Sequence, residues 1–251
     1  WKVPSPSVEG FHEVVSPKKT ECEYAYMYRL NLPERKEYIL NSGKLEMNAV
    51  LINGKCSIKS DKLEECMHKF DSFYIPGKTS IKIAALENCT FYIGAAECNG
   101  IGKEFFRKYE KELPFGEIRQ IHGNGISKRE VYFTLNPEIS ASRLICGITW
   151  GGNGSWTSWP PHQHGEYLEE IYCYFDMPPP GFGMHIVYCK PGRTDEMTIH
   201  VVKDGDVVIM PYGYHPTVAA PGTRNTYFWI LAAKKPEFRR YDLSEPDECF
   251  K

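Results

Sequence analysis

The stretch Trp156–Asp176, WTSWPPHQHGEYLEEIYCYFD, decides how the chain is read, together with the later stretch Asp204–Pro216, DGDVVIMPYGYHP. His162 and His164 stand at i and i+2 on an extended segment, so both imidazoles point to one face and can reach one ion. Pro160 and Pro161 ahead of them remove two backbone donors and stiffen the approach. Glu170 opens the strand EIYCYF and can supply an oxygen ligand, whereas Glu169 beside it points the opposite way. Of the two, Glu170 is the expected ligand because it directly precedes the hydrophobic strand. His215 follows Pro211-Tyr212-Gly213-Tyr214, where the glycine allows a sharp return of the chain. Three neutral imidazole nitrogens and one carboxylate, with positions left open, suit one divalent metal ion: Zn, Mn, Fe or Ni, with Zn placed first.

Outward from this set the chain reads as β structure throughout. Short runs with alternating or β-branched and aromatic residues (YAYMYRLNL, EMNAVLI, CTFYIGAA) fill residues 24–96, punctuated by turn residues such as Asn53-Gly54. Residues 97–128 are charged and glycine-containing and read as a connection, with one short helix expected near Gly102 to Glu112. A second series of strands fills residues 129–233. Residues 1–23 read as an irregular lead-in, and residues 234–251 as a tail draped on the surface.

An internal repeat relates the two series. Asp71-Ser-Phe-Tyr-Ile-Pro76 matches Asp206-Val-Val-Ile-Met-Pro211, and each is followed by an Ala-Ala pair, Ala84-Ala85 and Ala219-Ala220. Thr-aromatic-aromatic strands then end in Ala95-Ala96 and Ala232-Ala233. Two copies of one β barrel are therefore expected. Ser80 takes the place of His215 in the first copy, and no His-x-His precedes its strand EMNAVLI, so only the second should bind metal.

Composition narrows the function. The chain has 251 residues, enough for a sizeable core, and a net charge of −2 with its basic residues scattered, which argues against a nucleic-acid surface. No run approaches the roughly 20 apolar residues of a membrane helix. Nine cysteines lack any C-x-x-C pair, and Cys146 and Cys173 lie inside apolar runs as reduced thiols would. With no secretion signal in view, a cytoplasmic protein acting on a small molecule is expected. His12, His68 and His200 read as ordinary solvated or satisfied histidines, and Trp156, Trp159, Tyr172 and Tyr174 as core.

The ligand pattern resembles the cupin superfamily. More closely, SWPPHQH, LEEIYCYF, PPPGFGMHIVY and DGDVVIMPYGYHPTVAAPG resemble the 5-deoxy-glucuronate isomerase family of myo-inositol catabolism. The resemblance implies a two-domain cupin (bicupin) of tandem double-sheet jelly-roll barrels. It also implies a metal-dependent ketol isomerase acting on a deoxy-hexuronate. In the proton-carrying role His185 comes first, with Tyr214 and Glu169 behind it, and Arg129 and Arg143 are the arginines available for the substrate carboxylate. Departures point toward the sister family, the 4-deoxy-5-keto-uronate isomerases of pectin breakdown. The loop Gly165–Tyr167 is short, and His185 stands where the inositol enzymes tend to have Gln. His122 and Tyr212 replace basic residues. A metal-dependent oxygenase and a non-catalytic sugar-binding cupin are the rival readings. The implied partner is a sugar acid, not nucleic acid or membrane, and a homo-oligomer is compatible.

Overall fold

The computed structural model describes residues 1–250; Lys251, the end of the expected tail, lies outside the described residues. The described residues form antiparallel strands and four short 3-10 turns, with no α-helix. Two large and two small sheets carry the architecture. One large sheet runs Phe105–Arg107, Ser72–Ile75, Leu45–Asn53, Cys89–Glu97, Tyr26–Leu32, Gly10–Val15, and faces a small sheet of Glu37–Asn41, Ser80–Ala85, Cys56–Lys59, Glu64–Met67. The other large sheet runs Lys2–Val3, Val207–Met210, Leu168–Tyr174, Arg224–Ala233, Leu144–Asn153, Arg129–Leu135, Arg119–His122. Its small sheet is Trp156–Thr157, Thr217–Ala219, Gly183–Val187, Thr198–Val202. The two strand orders repeat one another, as the sequence repeat requires. None of the four sheets closes on itself, so the expected barrels are open pairs of sheets.

The long apolar runs are explained by two-sided burial. On Cys89–Glu97, Phe91, Ile93 and Ala95 enter the core between the first pair of sheets, while Tyr92 and Ala96 enter a core shared with the other half. On Arg224–Ala233, Tyr227, Trp229, Leu231 and Ala233 fill the second half's own core, and Phe228, Ile230 and Ala232 face the shared one. The period-2 alternation of a strand therefore separates two apolar faces here rather than an apolar and a polar one. Contact between the large sheets is close: a Cβ on Gly94 would stand 2.8 Å from Ile230 Cγ1.

Two buried carboxylates fasten the halves reciprocally. Glu169 accepts the backbone N–H groups of Glu23, Tyr24 and Ala25 at 2.8, 2.9 and 2.9 Å. Glu46 accepts those of Ser142, Arg143 and Leu144 at 2.6, 2.6 and 2.8 Å, and the Tyr74 hydroxyl at 2.7 Å. The register makes them equivalent, because Met47 pairs with Ile75 before Pro76 and Glu170 pairs with Met210 before Pro211. In the first half Met47 thus stands where the second has Glu170, and it is buried in an apolar core.

Three expectations are corrected. The helix near Gly102 to Glu112 is absent; Phe105–Arg107 is instead an edge strand, with Phe105 packed on the shared core and Phe106 on the first half's core, an alternation no helix would give. The lead-in contains Lys2–Val3, paired with Val207 and Val208, and Gly10–Val15, paired with Tyr26–Leu32. The tail is pinned to the molecule, with Glu245–Pro246 paired to His162 and Gln163.

Candidate metal centre and cavity

Strand periodicity puts the paired glutamates on opposite faces. Leu168, Tyr172 and Tyr174 face the second half's inner core and Ile171 and Cys173 the shared core, so Glu170 points inward and Glu169 toward the partner half. Glu169, considered as a proton carrier, is committed to its three N–H donors. Glu170 Oε2 lies 2.9 Å from His215 Nε2 and 3.3 Å from His164 Nε2. His162 completes the group: ligand atoms of His162, His164, Glu170 and His215 lie within 4.8 Å of one another. No second such group occurs among the described residues.

Each imidazole is oriented by a backbone carbonyl. The Nδ1 atoms of His162, His164 and His215 lie 3.0, 2.8 and 2.9 Å from the carbonyl oxygens of Pro160, Leu243 and Gly213. A carbonyl only accepts, so each Nδ1 carries the proton and each Nε2 presents a lone pair to the centre, the arrangement that metal-binding histidines use. The His215 turn depends on Gly213 at φ 87°, a left-handed conformation, and a Cβ there would meet the Tyr188 carbonyl oxygen at 3.0 Å.

The centre fits a cation on its own terms. Glu170 Oε2 and His215 Nε2 are buried and have no hydrogen-bond partner, although they face each other. A shared proton or a cation between them satisfies both, and the convergence of four ligand atoms suits the cation. Burial works against charge on Glu170, but contact with His164 and His215 outweighs it and holds the carboxyl well below the usual range. Burial also opposes charge on His164, yet its carboxylate contact pushes the imidazole up. His162 is pushed down to about 3 by burial and by the neighbouring His215 and His164. Ligands of one ion with bonds near 2.1 Å stand about 3–4 Å apart, so small side-chain adjustments would gather these four on one metal.

The centre opens on a cavity of about 340 Å³. His162, His164 and Glu170 form one part of its wall, with Tyr172 and Tyr227, stacked at 4.0 Å between ring centroids, beside them. Arg129 and His122 also line it. Arg129 donates from Nη1 to the carbonyls of Ser127 and Trp159 at 3.2 and 3.0 Å, and no partner is found for its Nε and Nη2 among the described residues. His122 donates from Nε2 to Gln120 Oε1 at 2.7 Å, and burial, with Arg129 nearby, pushes its ionisation down. Tyr172 and Trp159, read as core ahead of a substrate platform, are wall residues.

Other expected residues stand elsewhere. Arg143 lies outside the cavity wall; its guanidinium donates to the carbonyls of Ala233 and Lys234 at 2.9 and 2.7 Å and to Asn99 Oδ1 at 3.1 Å. His185 is fully buried behind Tyr172, with ring centroids 5.4 Å apart, and its Nδ1 bonds the Tyr174 hydroxyl at 2.8 Å. Tyr214 stacks on Tyr188 at 5.0 Å and does not line the cavity. Sequence reading missed Tyr241, Ser244 and Pro246, which the tail places on the wall. No motif announces them.

The comparisons agree with this geometry. The KduI/IolB family model matches residues 4–247. A 5-deoxy-glucuronate isomerase of Geobacillus thermodenitrificans is 30% identical over 250 residues, covering 91% of this chain and 87% of that protein. An IolB-like protein of Salmonella typhimurium has a similar fold, with a TM-score of 0.85 at 24% identity over 99% of this chain and 97% of the other. A cupin 2 conserved barrel domain protein of Leptotrichia buccalis shares the architecture more distantly, with a TM-score of 0.53 at 14% identity over 90% and 91% of the two chains.

Proposed function

Because the chain belongs to the KduI/IolB family, we propose that it is a metal-dependent ketol isomerase converting 5-deoxy-glucuronate to 5-dehydro-2-deoxy-gluconate in myo-inositol catabolism. The observation that carries this reading is the shared cavity, with three of the four metal-type ligands on its wall, His215 grouped with them, and an incompletely paired arginine facing the same space. His162, His164, Glu170 and His215 would hold one divalent ion, with Zn first among Zn, Mn, Fe and Ni. When bound, such an ion supplies Lewis acidity toward the carbonyl and hydroxyl oxygens of a sugar acid.

The remaining work falls to the chain's own residues. Arg129 offers the planar donors a carboxylate requires and sets the direction in which a uronate lies. Tyr172, Tyr227, Tyr241 and Ser244 surround the reacting carbons with hydroxyl groups, and Trp159 and Trp229 exclude water. Proton transfer between neighbouring carbons needs a group within hydrogen-bond reach, and the cavity hydroxyls are better placed than His185 or Tyr214. His185 retains a supporting place through Tyr174 and Tyr172.

We further read residues 24–96 and 129–233 as two cupin units of jelly-roll type, joined by 97–128, with 1–23 and 234–251 as flanking segments. No helix among the described residues is long and apolar enough to cross a membrane. A cytoplasmic enzyme of a small sugar acid, in a homo-oligomer, is the corresponding proposal. The short loop Gly165–Tyr167 and His185 favour a second substrate, 5-dehydro-4-deoxy-glucuronate of pectin degradation. Assaying Zn-loaded and chelator-stripped protein on both compounds decides between them. Metal-dependent turnover of the first supports the proposal, turnover of the second alone reverses the ranking, and oxygen consumption with Fe but no isomerisation would favour an oxygenase.

A further inference from the structure

The C-terminal segment buries a carboxylate completely within a charged, partly exposed run. Asp247 is 0% exposed. Its Oδ2 accepts from the Tyr188 hydroxyl and the Gly192 N–H, both at 2.8 Å, and its Oδ1 from the Cys249 N–H at 3.0 Å. Burying a charge is costly unless donors replace its water, and three donors converge here. What these bonds connect lies on either side of the metal centre. On one side, the Asp247 N–H donates to the Pro161 carbonyl at 2.8 Å, and Glu245–Pro246 pairs with Gln163 and His162. Four residues before Asp247, the Leu243 carbonyl accepts the Nδ1–H of His164 at 2.8 Å. On the other side, Tyr188 exchanges backbone hydrogen bonds with Tyr214 at 3.1 and 2.8 Å and stacks on its ring, and Tyr214 directly precedes His215.

We propose that Asp247 is a positioning residue for the metal centre, a latch that ties the His162–His164 segment to the Tyr214–His215 turn. The inference rests on the metal-centre reading above but not on the identity of the substrate. With the latch in place, the Leu243 carbonyl holds His164 in the tautomer that presents Nε2, and the same segment keeps Tyr241 and Ser244 on the cavity wall. Released, the segment takes that carbonyl away, and His164 can rotate or carry its proton on Nε2, where it blocks metal.

The test is Zn²⁺ affinity of the full chain, measured by competition with a chromophoric chelator, so no turnover is involved. Loss of an outer hydrogen-bond partner typically weakens metal binding 10- to 100-fold. Asp247→Ala should fall about tenfold or more, and Asp247→Asn by less, since one amide oxygen still accepts. Val14→Ala, in the shared core far from the segment, lowers stability while leaving Zn²⁺ affinity at the wild-type value. If Asp247→Ala fails to fold, Tyr188→Phe keeps the ring against Tyr214 but removes one donor, and a several-fold loss is expected. Wild-type affinity in Asp247→Ala, or in both Asp247→Asn and Tyr188→Phe, overturns the proposal. A wild-type chain that binds no Zn²⁺ overturns the metal centre itself, and with it the latch; failure to turn over a uronate leaves the latch standing.

Discussion

Replacing each of the two adjacent glutamates by glutamine should produce two different failures. In Glu169→Gln the amide oxygen can still accept two of the three N–H groups of Glu23, Tyr24 and Ala25, now as neutral bonds. The third N–H then faces an amide NH₂. An unsatisfied donor at a largely buried site costs about 1–3 kcal/mol, and the loss of charge assistance on the other two adds roughly 1 kcal/mol. The total is about 2–4 kcal/mol. For a chain of this size, each kcal/mol lowers Tm by about 2–4 °C, so a fall of roughly 5–15 °C is expected. Zn²⁺ affinity should stay near wild type, because Glu169 faces the other half of the molecule. Glu170→Gln should do the reverse, abolishing stoichiometric Zn²⁺ while the metal-free chain melts near the wild-type temperature. Calorimetry of chelator-treated protein and elemental analysis after reloading separate the two. Loss of metal in Glu169→Gln with an unchanged melting temperature would refute the assignment of inward and outward faces.

Three further outcomes follow from the geometry. Arg129→Ala should raise KM about 10- to 100-fold with a smaller change in kcat, since a carboxylate contact is made equally in ground and transition states; a pure kcat effect would remove Arg129 from substrate binding. Gly94→Ala forces a Cβ to within 2.8 Å of Ile230 and should cost about 1–3 kcal/mol in calorimetry without changing Zn²⁺ affinity, whereas a neutral result would mean the large sheets separate easily. His185 is held well below the usual imidazole range, by burial first and by His215 and His200 next. It is therefore neutral when folded and binds a proton only when unfolded. Its stabilising contribution is present above the unfolded imidazole value of about 6.5 and is lost as pH falls below it, at about 1.4 kcal/mol per pH unit. Denaturant titrations of metal-free protein should show a pH slope that is steeper in the wild type than in His185→Gln by up to that amount.

The sequence made the β architecture readable because its apolar runs are short, punctuated and repeated, and the candidate ligands stood out because His162 and His164 alternate on one extended segment ahead of the strand that carries Glu170. What escaped it depends on contacts distant along the chain. Lys2–Val3 is a strand only because Val207 and Val208 pair with it, and Glu245–Pro246 only because His162 and Gln163 do. Taken alone, both segments look like loose ends. Phe105 and Phe106 sit among charges and resemble the start of a helix until their opposite faces find two different cores. His185 was named from its position in the sequence, and such a position does not say which aromatic ring stands between it and the cavity. Arg143 was named because it lies in the stretch that carries the resemblance, and its backbone partners could not be foreseen. For the glutamate pair, alternation put the two carboxylates on opposite sides, and the choice of Glu170 rested on its place directly before the hydrophobic strand.

The central claim is that this cavity moves a proton between adjacent carbons of a deoxy-uronate. Its most direct test is proton NMR of 5-deoxy-glucuronate with the Zn-loaded protein in deuterated water. The account predicts conversion of the aldehyde to the ketone with deuterium entering at the former aldehyde carbon, which becomes the hydroxymethyl carbon of the ketone, and loss of both signals after chelation. An unchanged aldehyde spectrum in the presence of fully loaded metal, with no deuterium incorporated, would contradict it.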